Sequence, residues 1–229
     1  MRPFLTLFFL LLTGASAIGQ SFLGLNLGPA YGRTLDGQLY FYPKNEDWIA
    51  VSLSGGYTFQ GRTYFTRQEK DCLEDLRSGG WHVRLGFRND LTTDNLSSHF
   101  YWEALAIYTR HTESATINTC PESSGHRISF NSTVNVLSGA VRLGYQWNPL
   151  RGKTTDERIV FDFGLQIGAP VMASAPLVAE RNHYSGVGIT WLPIRSVAIE
   201  PVATVRWKLN QRRYGYFRQK ERKRYQKRY

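Results

Sequence analysis

The sequence predicts an all-β fold, a transmembrane antiparallel up-and-down β-barrel, and three observations lead to it. Several segments alternate apolar and polar residues with a period of two, which is the period of a β-strand. The connections between these segments alternate between short polar turns and longer links, as in barrels that cross a membrane. The chain of 229 residues is long enough for one such domain, and it contains no convincing helical period.

The chain begins with a segment that has the layout of a secretory signal peptide. Arg2 supplies a short basic region, residues 4–12 are apolar, and residues 15–17 (Ala-Ser-Ala) form a small-residue cleavage site. The apolar run is shorter than the ~20 residues that a membrane-spanning helix needs, which disfavours an N-terminal anchor. We expect residues 1–17 to be removed during export through the Sec pathway.

Eight strands are predicted for a barrel over residues 35–209. They are residues 35–43, 47–60, 79–90, 98–110, 130–148, 157–169, 183–192 and 196–209. Residues 22–32 also alternate, so residues 18–34 are an N-terminal segment or an extra strand, and ten strands remain the alternative. With these eight strands, the turn rule starts the first strand outside the cell and leaves the C-terminal segment outside as well.

The two faces of these strands predict different surroundings. Residues 158–168 place Phe161 and its apolar neighbours on one face and Arg158 and Asp162 on the other. We expect acyl chains against the apolar face and a charge network inside a narrow, filled lumen, with no open pore. The predicted lumen charges are Arg84, Arg88, Glu103, Arg142, Asp162, Glu200 and Arg206. The predicted aromatic girdle is Trp48, Trp81, Trp102, Trp147, Trp191 and Trp207.

Two cysteines, Cys72 and Cys120, lie in the long links 61–79 and 111–130. Both links are predicted at the extracellular end of the barrel, so an exported chain offers the two thiols an oxidising compartment. We expect a disulfide between them, although sequence alone does not bring the two residues together.

Residues 210–229 form a basic C-terminal tail. This segment holds nine Lys/Arg and one Glu, whereas the remaining 209 residues hold 19 Lys/Arg and 17 Asp/Glu. We expect a disordered, solvated tail that contacts lipopolysaccharide phosphates or another anionic polymer. Export removes the chain from nucleic acid, so no nucleic-acid partner is expected.

Two Gly-aromatic strand ends, "SGGYTF" (54–59) and "RLGYQW" (142–147), carry a resemblance to a known class. The chain resembles the small bacterial outer-membrane β-barrels of the OmpA/OmpX type, in particular the "outer membrane protein beta-barrel" family. The resemblance covers most of the mature chain, and it implies an integral outer-membrane protein with a structural or surface-interaction role. Outer-membrane lipids and lipopolysaccharide are the expected partners, and the oligomeric state is left open.

Two other functions are considered beside this one. The stretch "ERNHYSGVGI" (180–189) resembles the His-x-Ser stretch of outer-membrane lipid A deacylases, which would make His183 and Ser185 a lipid-facing hydrolase pair. Gly186 stands where that family has Asn, and Glu200 has lumen parity, so we predict no enzyme. A secreted soluble β-sandwich that binds a ligand is the second alternative. The five histidines are scattered, and we expect neither a metal site nor a cofactor.

Overall fold

The structure is a computed structural model that describes residues 19–43, 48–62, 73–91, 98–118, 127–149, 159–174, 183–184, 186–190 and 197–209. Within these ranges, ten strands belong to a single sheet. The strands are β1 (Gly19–Asn26), β2 (Thr34–Pro43), β3 (Ile49–Arg62), β4 (Leu73–Asp90), β5 (Ser98–Asn118), β6 (Arg127–Trp147), β7 (Ile159–Ala173), β8 (His183–Tyr184), β9 (Gly188–Thr190) and β10 (Ala198–Lys208). A 3-10 turn at Gly28–Gly32 links β1 to β2. None of the described helical residues forms a helix long and apolar enough to cross a membrane.

The sheet closes on itself. Each strand from β1 to β7 pairs antiparallel with the next, and β10 pairs with β7 on one side and with β1 on the other. Eight strands, β1–β7 and β10, therefore form the wall of an antiparallel up-and-down barrel, which confirms the predicted fold class. The β-sandwich alternative is wrong, because every described strand belongs to this one closed sheet.

The predicted number of wall strands is confirmed, but their identity differs at both ends of the chain. The segment predicted as N-terminal or extra contributes β1, which completes the wall. The predicted strand 183–192 is wrong, since this region forms a short hairpin of β8 and β9 that pairs with β10 only at Ala198↔Thr190 and Ile199↔Ile189. Gly186 and Gly188 have φ angles of +78° and +119°, and such backbone turns the chain away from an extended wall strand.

The position of β1 fixes the two ends of the barrel. The start of β1, the end of β10 and the links 44–47, 92–97 and 150–158 all lie at one end, here called the short-turn end. The links 63–72 and 119–126 and the connection from 174 to 197 lie at the opposite, long-loop end. The turn rule, applied to the eight predicted strands, put the start and the end of the wall at the long-loop end. In the described chain both are at the short-turn end, because β1 precedes β2 and because β8 and β9 do not form a wall strand between β7 and β10.

Three strands are longer than the rest of the wall. β4 has 18 residues, and β5 and β6 have 21 each. Their pairing continues to Leu73↔Ile117 between β4 and β5 and to Asn118↔Arg127 between β5 and β6. They form a three-stranded extension that projects beyond the barrel at the long-loop end. The following predicted features lie outside the described residues: residues 1–17, Cys72, Cys120, Arg158, Ser185, Trp191 and residues 210–229.

Candidate functional site: wall and lumen of the barrel

The polarity of the wall is the reverse of that in a soluble barrel. Leu85 and Leu143 point outward and are 56% and 55% exposed, while their chain neighbours Arg84 and Arg142 point inward and are 0% and 1% exposed. Strand geometry sends successive side chains to opposite faces, so this alternation continues along each strand. The outer surface of the wall is therefore apolar and its interior is polar.

Strand β7 shows the same division along its length. Phe163, Leu165 and Ile167 are exposed on the outer face, whereas Asp162 and Gln166 are fully buried in the lumen. Each position follows the parity of the sequence, because β7 is regular and carries no inserted residue where it pairs with β10. An apolar face exposed on a closed sheet of this kind has no protein partner in the described chain.

Aromatic residues border the apolar surface at both ends. Trp48, Trp102, Trp147 and Trp207 lie toward the short-turn end, and Trp81 lies toward the long-loop end. Ring pairs form in both borders, with centroids 5.7 Å apart for Trp147–Phe161 and 5.5 Å apart for Trp81–Tyr108. Leu137 and Trp147 on β6 are ten residues apart. That separation is about 33 Å along a strand, or about 25 Å of height at a ~40° tilt, which is the height of a transmembrane barrel's apolar band.

Toward the short-turn end, the lumen is filled by a group of side chains that we call the short-turn cluster: Arg88, Asp90, Gln146, Asp162 and Arg206. The Asp162 carboxylate accepts hydrogen bonds from Arg88 Nη1 at 3.2 Å and from Arg206 Nη2 at 2.9 Å. Arg88 Nε also donates to Asp90 at 2.7 Å. Gln146 Oε1 accepts from both guanidinium groups. Two cations and two anions thus share one buried volume.

Aromatic rings enclose this cluster. The Arg88 guanidinium carbon lies 3.6 Å from the centroid of the Tyr101 ring, and that of Arg206 lies 4.7 Å from the centroid of Tyr40. Tyr101 in turn covers Gly144, its partner on β6, where a Cβ would lie 2.4 Å from the Tyr101 hydroxyl oxygen. Cation–π stacking against aromatic rings stabilises buried arginine side chains.

In the middle of the lumen, Arg142 joins strands across the barrel. Its Nη1 donates to Glu103 Oε2 at 2.9 Å, and its Nη2 donates to Gln166 Oε1 at 3.0 Å. Glu103 also accepts a hydrogen bond from Ser52 on β3. Side chains of β3, β5, β6 and β7 are therefore tied together at this level.

Further toward the long-loop end, Arg84 lies between two carboxylates, Asp36 and Glu200, which with it form the long-loop cluster. Arg84 Nη2 contacts Asp36, and Arg84 Nη1 lies 3.3 Å from Glu200 Oε1. Asp36 also accepts from Asn26 Nδ2 at 3.1 Å. All seven predicted lumen charges are at most 1% exposed and lie in these three groups.

The β8–β9 hairpin enters the lumen above the long-loop cluster. The carbonyl oxygen of Gly186 accepts from Gln166 Nε2 at 2.9 Å and from Arg84 Nη1 at 3.4 Å. Val187 is 1% exposed. It belongs to an apolar group in the lumen with Leu105, Ile107, Ala140 and Ala198. The backbone of Gly186 and the side chain of Val187 therefore occupy the part of the lumen toward the long-loop end, here called the upper lumen.

The hairpin packs closely against His82 of the wall because one glycine of the wall and one glycine of the hairpin lie on either side of the His82 ring. The His82 imidazole lies between Gly56 and Gly186, and a Cβ on either glycine would come within 2.4 Å of a ring atom. His82 itself is buried, with Nε2 3.6 Å from Asp36 Oδ1. Close approach of this kind requires residues without a side chain at both positions.

The strand expected to carry His183 and Ser185 is not part of the wall in the described chain. His183 belongs to the short strand β8, whose pairing partner is β9 and not a wall strand. The sequence places the pair on a regular lipid-facing wall strand, whereas the described residues of this region form the β8–β9 hairpin, and Ser185 lies outside the described residues. Among the described residues, no group of three or more His, Cys, Asp or Glu side chains could hold a metal ion.

Several lumen residues escape the sequence reasoning. Asp36 and Asp90 complete the charge compensation of Arg84 and Arg88. Asp36 lies in a weakly alternating strand, and Asp90 is the last residue of the predicted strand 79–90. Tyr40 and Tyr42 are buried in the lumen, although aromatic residues of such barrels also form the girdles on the outer face. Gln166, by contrast, is assigned to the lumen by strand parity in residues 158–168.

Comparison with known proteins adds structural likenesses only. No protein-family model and no curated protein matches the sequence. The chain is similar to the N-terminal β-barrel domain of Pseudomonas aeruginosa OprF, with 10% identity, a TM-score of 0.40 and coverage of 83% of this chain and 97% of that one. It is similar to Neisserial surface protein A, with 10% identity, a TM-score of 0.41 and coverage of 83% and 95%. It is also similar to Ail, the attachment invasion locus protein of Yersinia pestis, with 14% identity, a TM-score of 0.41 and coverage of 83% and 99%.

The class of the fold follows from the strand pairing of this chain. It is a small, closed, eight-stranded antiparallel β-barrel of the outer-membrane type, with a filled polar lumen.

Proposed function

We propose that this chain is an integral outer-membrane β-barrel protein with a structural or surface-interaction role and without an open pore. The observation that carries the proposal is the reversed polarity of the wall. In water, exposure of a continuous apolar band would drive association, whereas acyl chains cover such a band without cost. Outer-membrane lipids, including lipopolysaccharide in the outer leaflet, are the partners that this surface fits.

The closed sheet supports the same proposal. In lipid, every backbone N–H and C=O group needs a partner within the protein, and a closed barrel supplies one by removing the sheet edges. The β1–β10 pairing provides this closure over Phe22↔Lys208 to Asn26↔Thr204. Both conditions for a membrane-spanning β-protein, an apolar exterior and a closed wall, occur together in the described residues.

The filled lumen supports the absence of a pore. Buried charges of both signs are paired across the barrel, and the β8–β9 hairpin occupies the upper lumen. An eight-stranded barrel has room for side chains and little else. We propose that these charges stabilise the barrel and do not conduct ions.

Membrane insertion is tested by fractionation and gel mobility. The full chain is expected in the outer-membrane fraction, extracted by detergent, and its mobility on a gel should change after boiling. Recovery in the soluble fraction without detergent would contradict the proposal. Replacing Leu143 with Asp is expected to impair insertion, while Thr133→Asp, on the outer face of the extension beyond the apolar band, is the matched control that should insert normally.

The absence of a pore is tested in planar bilayers. Inserted protein is expected to give no stable single-channel conductance in KCl. A stable conductance from the unmodified chain would overturn this part of the proposal and leave membrane insertion unaffected.

The surface-interaction role is proposed for the long-loop end. There, β4, β5 and β6 extend beyond the apolar band, and their outward residues become polar, as at Arg110, Asn131 and Thr133. An epitope inserted into the link 119–126 should be labelled by antibody on intact cells. Labelling only after the outer membrane is opened would place this end in the periplasm and contradict the proposed role.

A further inference from the structure

We propose that residues 210–229 bind the anionic phospholipid headgroups of the membrane leaflet at the short-turn end of the barrel. This inference rests on the proposed membrane insertion. It follows from where the last wall strand ends, from the charge of the segment that follows it, and from the charge of the turns around it.

The last described residues before the segment, Lys208 and Leu209, are fixed at the short-turn end of the wall. β10 is held at its end by the pairing of Lys208 with Phe22, and the backbone N–H of Leu209 donates to the carbonyl of Ser21 at 2.9 Å. Trp207 points outward and is 41% exposed, within the aromatic border of the short-turn end. The segment therefore starts at the level where amphipathic rings meet headgroups.

The charge of the segment is concentrated and of one sign. Nine Lys/Arg and one Glu occur within 20 residues, whereas the rest of the chain is nearly balanced. Arg213 is six residues from Trp207. A fully extended chain would place it within about 20 Å of the aromatic border. Clusters of four to eight basic residues beside a membrane-spanning segment are typical binders of anionic lipid headgroups.

Aromatic residues are interleaved with these charges. Tyr214, Tyr216 and Phe217 lie between the first basic pair and Arg218, and Tyr225 and Tyr229 lie further along. Tyrosine and phenylalanine insert into the interface that headgroups form, whereas a soluble polyanion offers them no apolar layer. The composition therefore favours a lipid surface over a polymer in solution.

The links that join the strands at this end carry almost no net charge in sequence. The links 44–47, 92–97 and 150–158 together contain four basic and five acidic residues. The long-loop end, where lipopolysaccharide would be, lies across the membrane from residue 209. The nearest dense negative charge available to the segment is then the leaflet in which the short-turn end is embedded.

The test compares protease access to the segment in two lipids. The full chain is inserted into nanodiscs of neutral phosphatidylcholine or of the same lipid mixed with phosphatidylglycerol, and chymotrypsin cleavage after Tyr214, Tyr216 and Phe217 is followed by mass spectrometry. Anionic lipid is expected to slow cleavage at least ~10-fold at low salt. At about 0.5 M NaCl, where screening extends over only a few Å, the difference should disappear.

A matched variant keeps the cleavage sites and removes the charge. Substitution of all nine Lys/Arg in the segment by Gln should give equal cleavage rates in both lipids. Equal rates for the unmodified chain would overturn the inference, as would protection that appears only when purified peptidoglycan is added. Heat-modifiable mobility of the same nanodisc sample reports insertion, so failure of this inference is distinguishable from failure of the proposed function.

Discussion

The two halves of the lumen are filled in different ways. Toward the short-turn end, side chains of the wall meet each other, with Asp162 between Arg88 and Arg206. Toward the long-loop end, a separate hairpin enters, and Val187 packs on Leu105 and Ile107 of the wall. Strand alternation determines how the short-turn half is filled, because successive wall residues point inward and outward in turn. It does not determine how the long-loop half is filled, because the hairpin is not part of the wall.

The two halves should also differ in what stabilises them. In the short-turn half, the stabilising condition is charge compensation between buried side chains. In the long-loop half, the stabilising condition is the fit of the hairpin backbone and the Val187 side chain into a space lined by glycine and aliphatic residues. Substitutions that remove each condition separately test whether this division is correct.

The largest effect is expected from Asp162→Asn in the short-turn cluster. The substitution keeps the shape but leaves Arg88 and Arg206 buried with less compensating charge, and breaking a buried ion pair costs about 3–5 kcal/mol. Urea titration of the folded barrel in detergent micelles measures the free energy of unfolding.

Gln146→Leu is the matched control for this prediction. Gln146 contacts the same two arginines but carries no charge, so its loss is expected to cost only about 1–2 kcal/mol. Equal costs for the two variants would contradict charge compensation as the main stabilising factor in this half.

A smaller effect is expected from Gly186→Ala in the hairpin. The added Cβ would lie 2.4 Å from Cγ of His82, and the φ angle of +78° is unfavourable for alanine. We expect a loss of about 1–3 kcal/mol, because strained backbone of this kind persists only where the surroundings impose it.

Gly139→Ala controls for the general effect of replacing glycine in this barrel. A Cβ at Gly139 has no heavy atom within 4 Å, so the change in unfolding free energy should be close to zero. Faster hydrogen exchange at residues 186–190 in Gly186→Ala, but not in Gly139→Ala, would locate the damage in the hairpin. Identical exchange in both variants would show that the hairpin does not depend on this fit.

Val187→Ala should have a still smaller effect. Removing two methyl groups from the apolar group of the upper lumen costs about 1.6 kcal/mol at ~0.8 kcal/mol per buried carbon. Val141→Ala, on the outer face, removes the same atoms from a position that is 49% exposed and should cost less. Should the outer substitution prove the more costly one, Val187 would not be anchoring the hairpin.

The smallest effect on the barrel is expected from reduction of a Cys72–Cys120 disulfide. The two cysteines are one residue before Leu73 and three residues after Ile117, which are registered partners on β4 and β5. Mass spectrometry of the unreduced protein should find the two peptides joined. Reduction should accelerate hydrogen exchange in the extension but not in β7, and detection of two free thiols in freshly isolated protein would refute the bridge.

The sequence predicts the wall well because period two is a local property. Phe161 and Asp162 are assigned to opposite faces by their neighbours alone, and β7 is regular enough for that assignment to hold. β5 shows where this stops: Ala104 and Ala106 face outward while Leu105 and Ile107 face the lumen, so apolar character does not distinguish the two faces there. An apolar lumen patch of this kind implies an apolar partner, which is Val187.

The hairpin and the first strand were harder to predict for a different reason. Residues 183–192 alternate as a strand would, and the tight fit of Gly186 against His82 depends on residues that are about a hundred positions apart in the sequence. Asp36 escapes the prediction because the alternation of β2 is weak: Gln38, Leu39 and Tyr40 are all buried, so the strand does not separate two faces by polarity. Long-range packing therefore determines the hairpin at residues 183–190, where local periodicity predicts a wall strand.

The seam between β1 and β10 has a consequence for how the molecule assembles. It joins Phe22 to Lys208, residues near opposite ends of the described chain, through five registered pairs. A contact between positions so distant in sequence has the largest entropic cost of loop closure. The seam should therefore form last, after the hairpins of β2 to β7. Until the seam forms, β1 and β10 are edge strands, each with one unpaired edge. Nearly the entire chain must therefore be synthesised before these two edges can pair with each other.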